Sequence, residues 1–440
     1  MPSKKNRSPV RKWAIGCGVL FGIVLVLCMG VVAWLATPPK FDIPPRNSPP
    51  NNAYPEYRAM AQEMLDRLEP DTRFKQIEKA LSERQPVPAA DRVYYLQRIE
   101  PYLRRYRQLL SRPCVVTYER SANAIFPELA QMRRLARAEV YLMREELRQR
   151  RYRAAIQRAQ RLNRLAEQAR NGGALIHYLV GTAIHAIALR PLREELPRMQ
   201  DRASLEALLK LARNNEKNRI PFWRAMQEEY YFGLGIYQEI AQGRVSTEQL
   251  GGSGAGGSTS GLGAFLERIL VKTALPEFNR YMTEAVEDLK KPFHQRNRNH
   301  EDVEKKIRHP LNAILLPVYT KASEKEAYEV ATMRLVGCAA AIRLHKLRTG
   351  KYPPSLEALN LGEMMIDPYS GKPFVYKTDP RFGFLLYSVS ENRVDDGGQT
   401  VYGGATDSRG DLSPVSVRVP ESLKNTPREQ RPLIAPIWLR

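Results

Sequence analysis

No charged residue falls between Lys12 and Lys40, and within that gap Trp13–Ala36 is almost wholly apolar. As a helix rising 1.5 Å per residue it would reach about 36 Å, enough to cross a bilayer core of roughly 30 Å. Trp13 and Trp34 stand near its two ends, where interfacial aromatics belong. Lys4, Lys5, Arg7, Arg11 and Lys12 all precede it. The positive-inside rule then puts residues 1–12 in the cytoplasm and everything after residue 40 outside. A cleaved signal peptide would have a shorter apolar region and a small-x-small site, and Trp34-Leu35-Ala36 is a poor one. The run 13–36 therefore reads as a transmembrane signal anchor.

Residues 37–55 read as a stalk. Pro38, Pro39, Pro44, Pro45, Pro49, Pro50 and Pro55 remove backbone donors and fix φ, so neither helix nor sheet runs through them. Polyproline II is the expected conformation, a semi-rigid spacer. From residue 56 to 290 the pattern is helical. Met60, Met64 and Leu68 recur at helical spacing, as do Leu129, Met132, Leu135 and Ala136. A helix over Arg92–Arg112 is expected to bend at Pro101, and one over Ala174–Leu189 to stop or bend at Pro191. The arginines of Arg151–Arg170 form one face, read as solvated. The Gly-rich stretch 243–263 lacks the lysine of a phosphate-binding loop and reads as a flexible surface loop. Two short helices, Ala264–Ala274 and Glu277–Leu289, precede a charge-dense linker over 291–320. Helix, short turn and helix are loosely similar to tetratricopeptide hairpins, but no 34-residue repeat exists.

Reactive chemistry is sparse. His177 and His185 share one predicted helix without a carboxylate three or four residues away, and HExxH is absent. They read as packing histidines, with an enzyme pocket around them as the alternative. His294, His300 and His309 sit in the polar link beside Glu301, Asp302 and Glu304, where solvation suffices. No GxSxG or dinucleotide fingerprint occurs, and Cys17, Cys28, Cys114 and Cys338 have no zinc spacing. Cys114 and Cys338 read as buried apolar residues, with a disulfide between them as the other option. A formal net charge of +22 favours acidic partners, either anionic lipid or a wall polymer. Nucleic acid is not expected for an extracytoplasmic body.

The most specific stretch lies in the last quarter of the chain. Gly350-Lys-Tyr-Pro-Pro-Ser355 breaks a helix and redirects the chain, with Ser355 as an N-cap for Leu356–Leu359. Asp367-Pro-Tyr-Ser-Gly371 is a turn, and Phe374–Tyr376 and Phe384–Val389 read as two strands of a small antiparallel sheet. Asn392, Asp395, Asp396, Asp407 and Asp411 then fall in glycine-rich loops. Such oxygens suit a hard cation like Ca²⁺, and equally suit plain turns.

This segment resembles the C-terminal domain of the major (G-type) pseudopilin of type II secretion. The likeness rests on Thr349-Gly-Lys-Tyr-Pro-Pro-Ser-Leu-Glu-Ala-Leu359, on Asp367-Pro-Tyr-Ser-Gly-Lys-Pro373 and on Tyr387-Ser-Val389 before an acidic loop. It implies a structural calcium held by Asp395, Asp396, Asp407 and Asp411, with Asn392 where the family usually has Asp. The family's N-terminal signature is missing at Trp13, so an ordinary pilus subunit is not expected.

The fold class that follows is mainly α: a transmembrane helix, an α-helical bundle and a small α+β pseudopilin-like module over 321–420, then a tail over 421–440. The expected role is non-catalytic binding or scaffolding at a bacterial inner membrane, with envelope or secretion-machinery proteins as partners. An envelope enzyme with its site in the helical bundle is the alternative.

Overall fold

The computed structural model describes residues 22–27, 29–31, 34, 37, 39–250, 261–297, 307–317, 319–403 and 409–440. The protein is mainly helical, with one short two-stranded antiparallel sheet near the C-terminus. The transmembrane anchor expected at 13–36 lies largely outside the described residues. Those described there, such as Ile23, Val26, Leu27 and Trp34, are exposed apolar side chains. Residues 251–260 of the Gly-rich stretch and His300 also lie outside them; the rest of that stretch includes a short helix, Thr247–Leu250, and the start of a long one at Leu262.

The chain from Pro39 to Asn52 forms neither helix nor strand, as its prolines dictate. It lies against the bundle, however, and is not a free spacer. Arg46 donates to the carbonyls of Val116 and Gly172, pairs with Glu228 and stacks on Tyr118. Phe41 and Ile43 rest on the apolar core.

Helices α1 (Tyr54–Leu68), α2 (Thr72–Ser82), α3 (Ala89–Leu109) and α4 (Pro127–Arg148) open the bundle. Helical spacing puts Tyr57, Met60, Ala61, Met64 and Leu68 on the buried face of α1. Asp71 caps α2, its carboxylate accepting the Phe74 amide at 2.9 Å. Pro101 sits within an unbroken α3.

Next come α5 (Tyr152–Arg170), α6 (Leu175–Glu195) and α7 (Arg202–Asn218). Helix α6 runs on past Pro191 to Glu195. It is long and apolar enough to cross a membrane by length and composition, but 61% of its apolar window is buried inside the protein, as in a core helix. Helices α8 (Phe222–Ala241) and α9 (Leu262–Lys290) pair to build a second, smaller apolar cluster with α10 (Pro310–Leu315). One continuous α9, with Pro276 inside it, replaces the two short helices expected.

Helix α11 (Thr320–Thr349) is the axle of the molecule. Every residue from Glu329 to Arg343 is buried, so no polar face exists along this stretch. Its C-terminus is closed by Gly350 at φ +77°, whose amide returns to the Lys346 carbonyl. A side chain at Gly337 would meet Ala212 of α7 and Met364 of the C-terminal segment, so both press on the same point of α11. Strands β1 (Val375–Asp379) and β2 (Gly383–Tyr387) pair in the register Val375↔Tyr387 to Asp379↔Gly383. Phe384 pairs with Leu439, which brings the end of the chain back to β2. The short segment after Ser355 is one 3-10 turn, Glu357–Leu359, preceded by Leu356 at the cap position where Ser355 was expected.

Candidate functional site

Three arrangements carry the polar groups of interest. The first is the ionic core where α5, α6 and α11 meet. Arg170 is fully buried, and its guanidinium reaches Glu329 through two bonds of 2.8 and 2.5 Å. Glu167 at 3.0 Å and the Thr182 hydroxyl at 2.9 Å share its two terminal nitrogens, while Nε is buried without a hydrogen bond. Gly181 lets this side chain in, because a Cβ there would stand 2.5 Å from Arg170 Nε. Burial pushes the Glu167 carboxyl up to about 6; Arg170 opposes this and Glu329 adds to it. Burial also works against ionised Glu329, yet Arg170 and His185 hold its carboxyl below the ordinary value.

His185 Nδ1 lies 3.7 Å from Glu329 Oε1, and its Nε2 lies 3.5 Å from Asn215 Nδ2. Burial holds this imidazole below its usual pKa, and Arg170 and Arg219 act the same way against Glu329. A cavity of about 220 Å³ opens beside it, lined by Thr182, His185, Arg193, Tyr328, Glu329 and Gly403 among others. His177, the other candidate, is stacked on Tyr118 at 5.2 Å and meets the Phe126 ring edge-on at 4.6 Å. Its Nε2 is 3.8 Å from Glu128, which also accepts the Tyr54 hydroxyl at 2.6 Å. Burial lowers the His177 pKa.

Local spacing gave no acid near either histidine because the acids come from other helices, Glu128 from α4 and Glu329 from α11. The arginine face of Arg151–Arg170, expected to be solvated, is so only in part: Arg153 and Arg164 are exposed, whereas Arg170 is buried and Arg158 bridges Glu139 and Glu146. On α4, Arg134 is likewise buried against Glu69 and Glu78.

The second arrangement is the acidic loop. Asp395 accepts the Tyr387 hydroxyl at 2.8 Å and the Gly397 amide at 2.9 Å. Asn392 donates to Asp396 at 2.9 Å, and Asp411 accepts the Gly398 amide at 2.7 Å. The other oxygen of Asp411, Oδ1, is buried without a hydrogen bond. Burial, then Asp395 and Asp396, push the Asp411 carboxyl up to about 7, against the Gly398 and Asp396 amides. Four of the five expected ligands are thus neighbours; Asp407 lies outside the described residues. Among the described residues no group of three or more His, Cys, Asp or Glu is arranged to hold a metal ion. Among these residues, the orphaned Asp411 oxygen is the one feature of the loop that a hard cation would relieve.

The third is a cleft of about 480 Å³ between α5, α7 and the segment around Cys114, lined by Gln160, Asn163, Arg164 and Asn214 among others. Its amides donate and accept, and Arg112, Arg164 and Glu167 add charge of both signs, so its lining is polar without one dominant sign. Cys114 and Cys338 are free, buried thiols, each pushed up to about 12 by burial. In the 3-10 turn Phe293–Gln295, at the start of the linker, the ring of His294 packs over Gly371, and His309 caps α10 by accepting the Leu311 amide. Compared with known proteins, this chain matches no family model, no curated protein and no solved structure.

Proposed function

We propose that this chain is a single-pass protein of a bacterial inner membrane, with its N-terminus in the cytoplasm, whose extracytoplasmic body is a non-catalytic binding or scaffold unit. Its C-terminal module is pseudopilin-like and takes a structural Ca²⁺ at the acidic loop, where Asn392, Asp395, Asp396 and Asp411 would supply oxygens and Asp407 a further carboxylate. Envelope or secretion-machinery proteins are its partners.

The observation that carries this reading is the joint at α11. Arg334 bonds Glu216 of α7 on one side, at 3.0 and 2.6 Å, and the Ile366 carbonyl of the module on the other, at 2.8 Å. Arg193 of α6 holds the Ser413 and Pro414 carbonyls. Bundle and module share one apolar cluster running from Ala53 to Leu439. A body braced in this way presents its surfaces in fixed relation, which suits a scaffold. Topology is tested by protease treatment of intact spheroplasts: digestion of the body from outside is expected. Full protection of the body, with digestion only after lysis, would reverse the orientation and remove the envelope role.

The cavity holding His185 and Glu329 favours a second reading, an envelope enzyme with its site in the bundle. Here His185 would move a proton under the field of Glu329 and Arg170. Loss of turnover in His185→Gln, in a purified chain that turns over any substrate, would favour the enzyme, and unchanged turnover would remove this site.

A further inference from the structure

Three guanidinium groups converge on a single carboxylate, Glu194, and a fourth, Arg144, stands close enough to feel their charge. Arg84, just past the end of α2, reaches Glu194 at 3.0 Å. Arg190, one turn earlier on α6, stands 3.3 Å away, and Arg418 of the C-terminal segment 2.9 Å away. Arg144 of α4 is the fourth, and it feels Arg84, Arg190 and Arg418 as like charges. Glu194 is itself almost wholly buried, with 4% of its side chain exposed, so its charge is already spent on three partners.

Arg144 is the group left over. Among the described residues no carboxylate stands within ion-pair distance of it, and its Nε is buried without a hydrogen bond. Burial, then Arg84, push its pKa down to about 10, with Glu194 opposing and Arg190 and Arg418 adding to the effect. Arginine gives up so much only where counter-charge is short. A cavity of about 230 Å³ is lined by Arg144, though not by Arg84, Arg190 or Arg418, and Arg137, Tyr95, Tyr141 and Ser82 are among its other walls. Its one acid, Glu78, is already engaged by Arg134.

We propose that the Arg84–Arg144–Arg190–Arg418 cluster is a binding site for a phosphoryl anion. A phosphoryl group offers several oxygens at fixed angles, which planar guanidinium forks bind in pairs; a chloride satisfies one charge and no geometry. The site deepens the binding role proposed above by giving it a ligand chemistry. It rests on that role only where the phosphoryl group belongs to a lipid.

The test uses the full chain in a neutral detergent. Its thermal unfolding is followed with inorganic pyrophosphate and with sodium chloride at equal ionic strength. Pyrophosphate is expected to raise the midpoint and chloride to leave it. Arg144→Gln should raise the midpoint in chloride, by removing the unpaired charge, and should weaken pyrophosphate about tenfold or more, the loss of one charged contact. Arg418→Gln, at an exposed position and with Arg84 and Arg190 still paired to Glu194, should weaken it in the same direction. No difference between pyrophosphate and chloride, or full pyrophosphate response in both variants, overturns the site. Water-soluble short-chain phosphatidylglycerol and phosphatidylcholine, added to the same chain, separate the sources. Stabilisation by the first lipid and not the second assigns a lipid headgroup. Stabilisation by pyrophosphate alone assigns a soluble phosphoryl compound and leaves the topology test to decide the envelope role.

Discussion

Arg170 and Glu329, 159 residues apart in the chain, form a doubly hydrogen-bonded ion pair that is wholly buried. The pair joins α5 to the axle helix, so bundle assembly and charge neutralisation are one event. Removing one partner strands the other. Glu329→Gln is expected to cost about 3–5 kcal/mol in urea unfolding. The double variant Arg170→Met with Glu329→Leu should cost much less, since Glu167, already up at about 6, takes a proton when Arg170 is gone. Equal costs for single and double variants would show that packing, not charge, sets the effect.

Two helical glycines are places where another chain segment touches the helix. A Cβ at Gly235 would stand 2.2 Å from the Arg120 carbonyl oxygen, and one at Gly181 would stand 2.7 Å from the Ala166 carbonyl oxygen. Backbone cannot swing aside as a side chain does. Alanine at either site should therefore destabilise by about 1–3 kcal/mol, although alanine favours a helix by about 1 kcal/mol over glycine. Gly350→Ala is the contrasting case. Nothing lies within 4 Å of its Cβ, and the expected loss of about 1–2 kcal/mol comes from φ +77° alone. Chemical unfolding of the three variants ranks these causes.

Much of the helical architecture could be read from periodicity. Met60, Met64 and Leu68 announced the buried face of α1, and Gly350 and Asp367–Gly371 announced the turns that end the axle and open the module. Long-range partners could not be read. Arg170, Arg134 and Arg158 look like solvated helix arginines until Glu329, Glu78 and Glu139 arrive from distant segments. A bend is expected at Pro101 and a gap between Ala274 and Glu277, yet α3 and α9 run on as single helices, because most helical stability comes from packing rather than from local propensity. The acidic loop was legible as a cluster of oxygens. The buried, unpartnered Asp411 oxygen was not, because it depends on the fold around Gly398 and Gln399.

Acid should weaken the core through its histidines. His185 is held below its ordinary pKa by burial, so the folded state binds its proton less readily than the unfolded chain does. Stability from the neutral ring is complete above about pH 6.5 and is lost as pH falls below it. Glu167 works in the opposite sense, because its raised carboxyl gains a proton in the folded state first. The two are separated by substitution. The stability advantage of the parent chain over His185→Gln should shrink as pH falls from 7 to 5, measured by urea unfolding at each pH. An advantage that stays constant over that range would show that His185 does not titrate against the fold.

Calcium should act on the module through Asp411. Three carboxylates, Asp395, Asp396 and Asp411, crowd one loop, and burial with its two neighbours keeps Asp411 up at about 7. Such a group favours the protonated form when folded, so in chelator the module should lose stability as pH rises from about 4 through 7. A divalent cation replaces that proton and relieves the repulsion above pH 7. Ca²⁺ is therefore expected to raise the unfolding midpoint of the full chain more at pH 8 than at pH 5. Asp411→Asn should do two things together: raise the midpoint in chelator at pH 8, and abolish most of the calcium increment. A calcium increment that survives Asp411→Asn unchanged places the ion elsewhere. No increment at any pH leaves Asn392, Asp395 and Asp396 as turn formers, their hydrogen bonds to one another and to Tyr387 and Gly397 being the whole of their role.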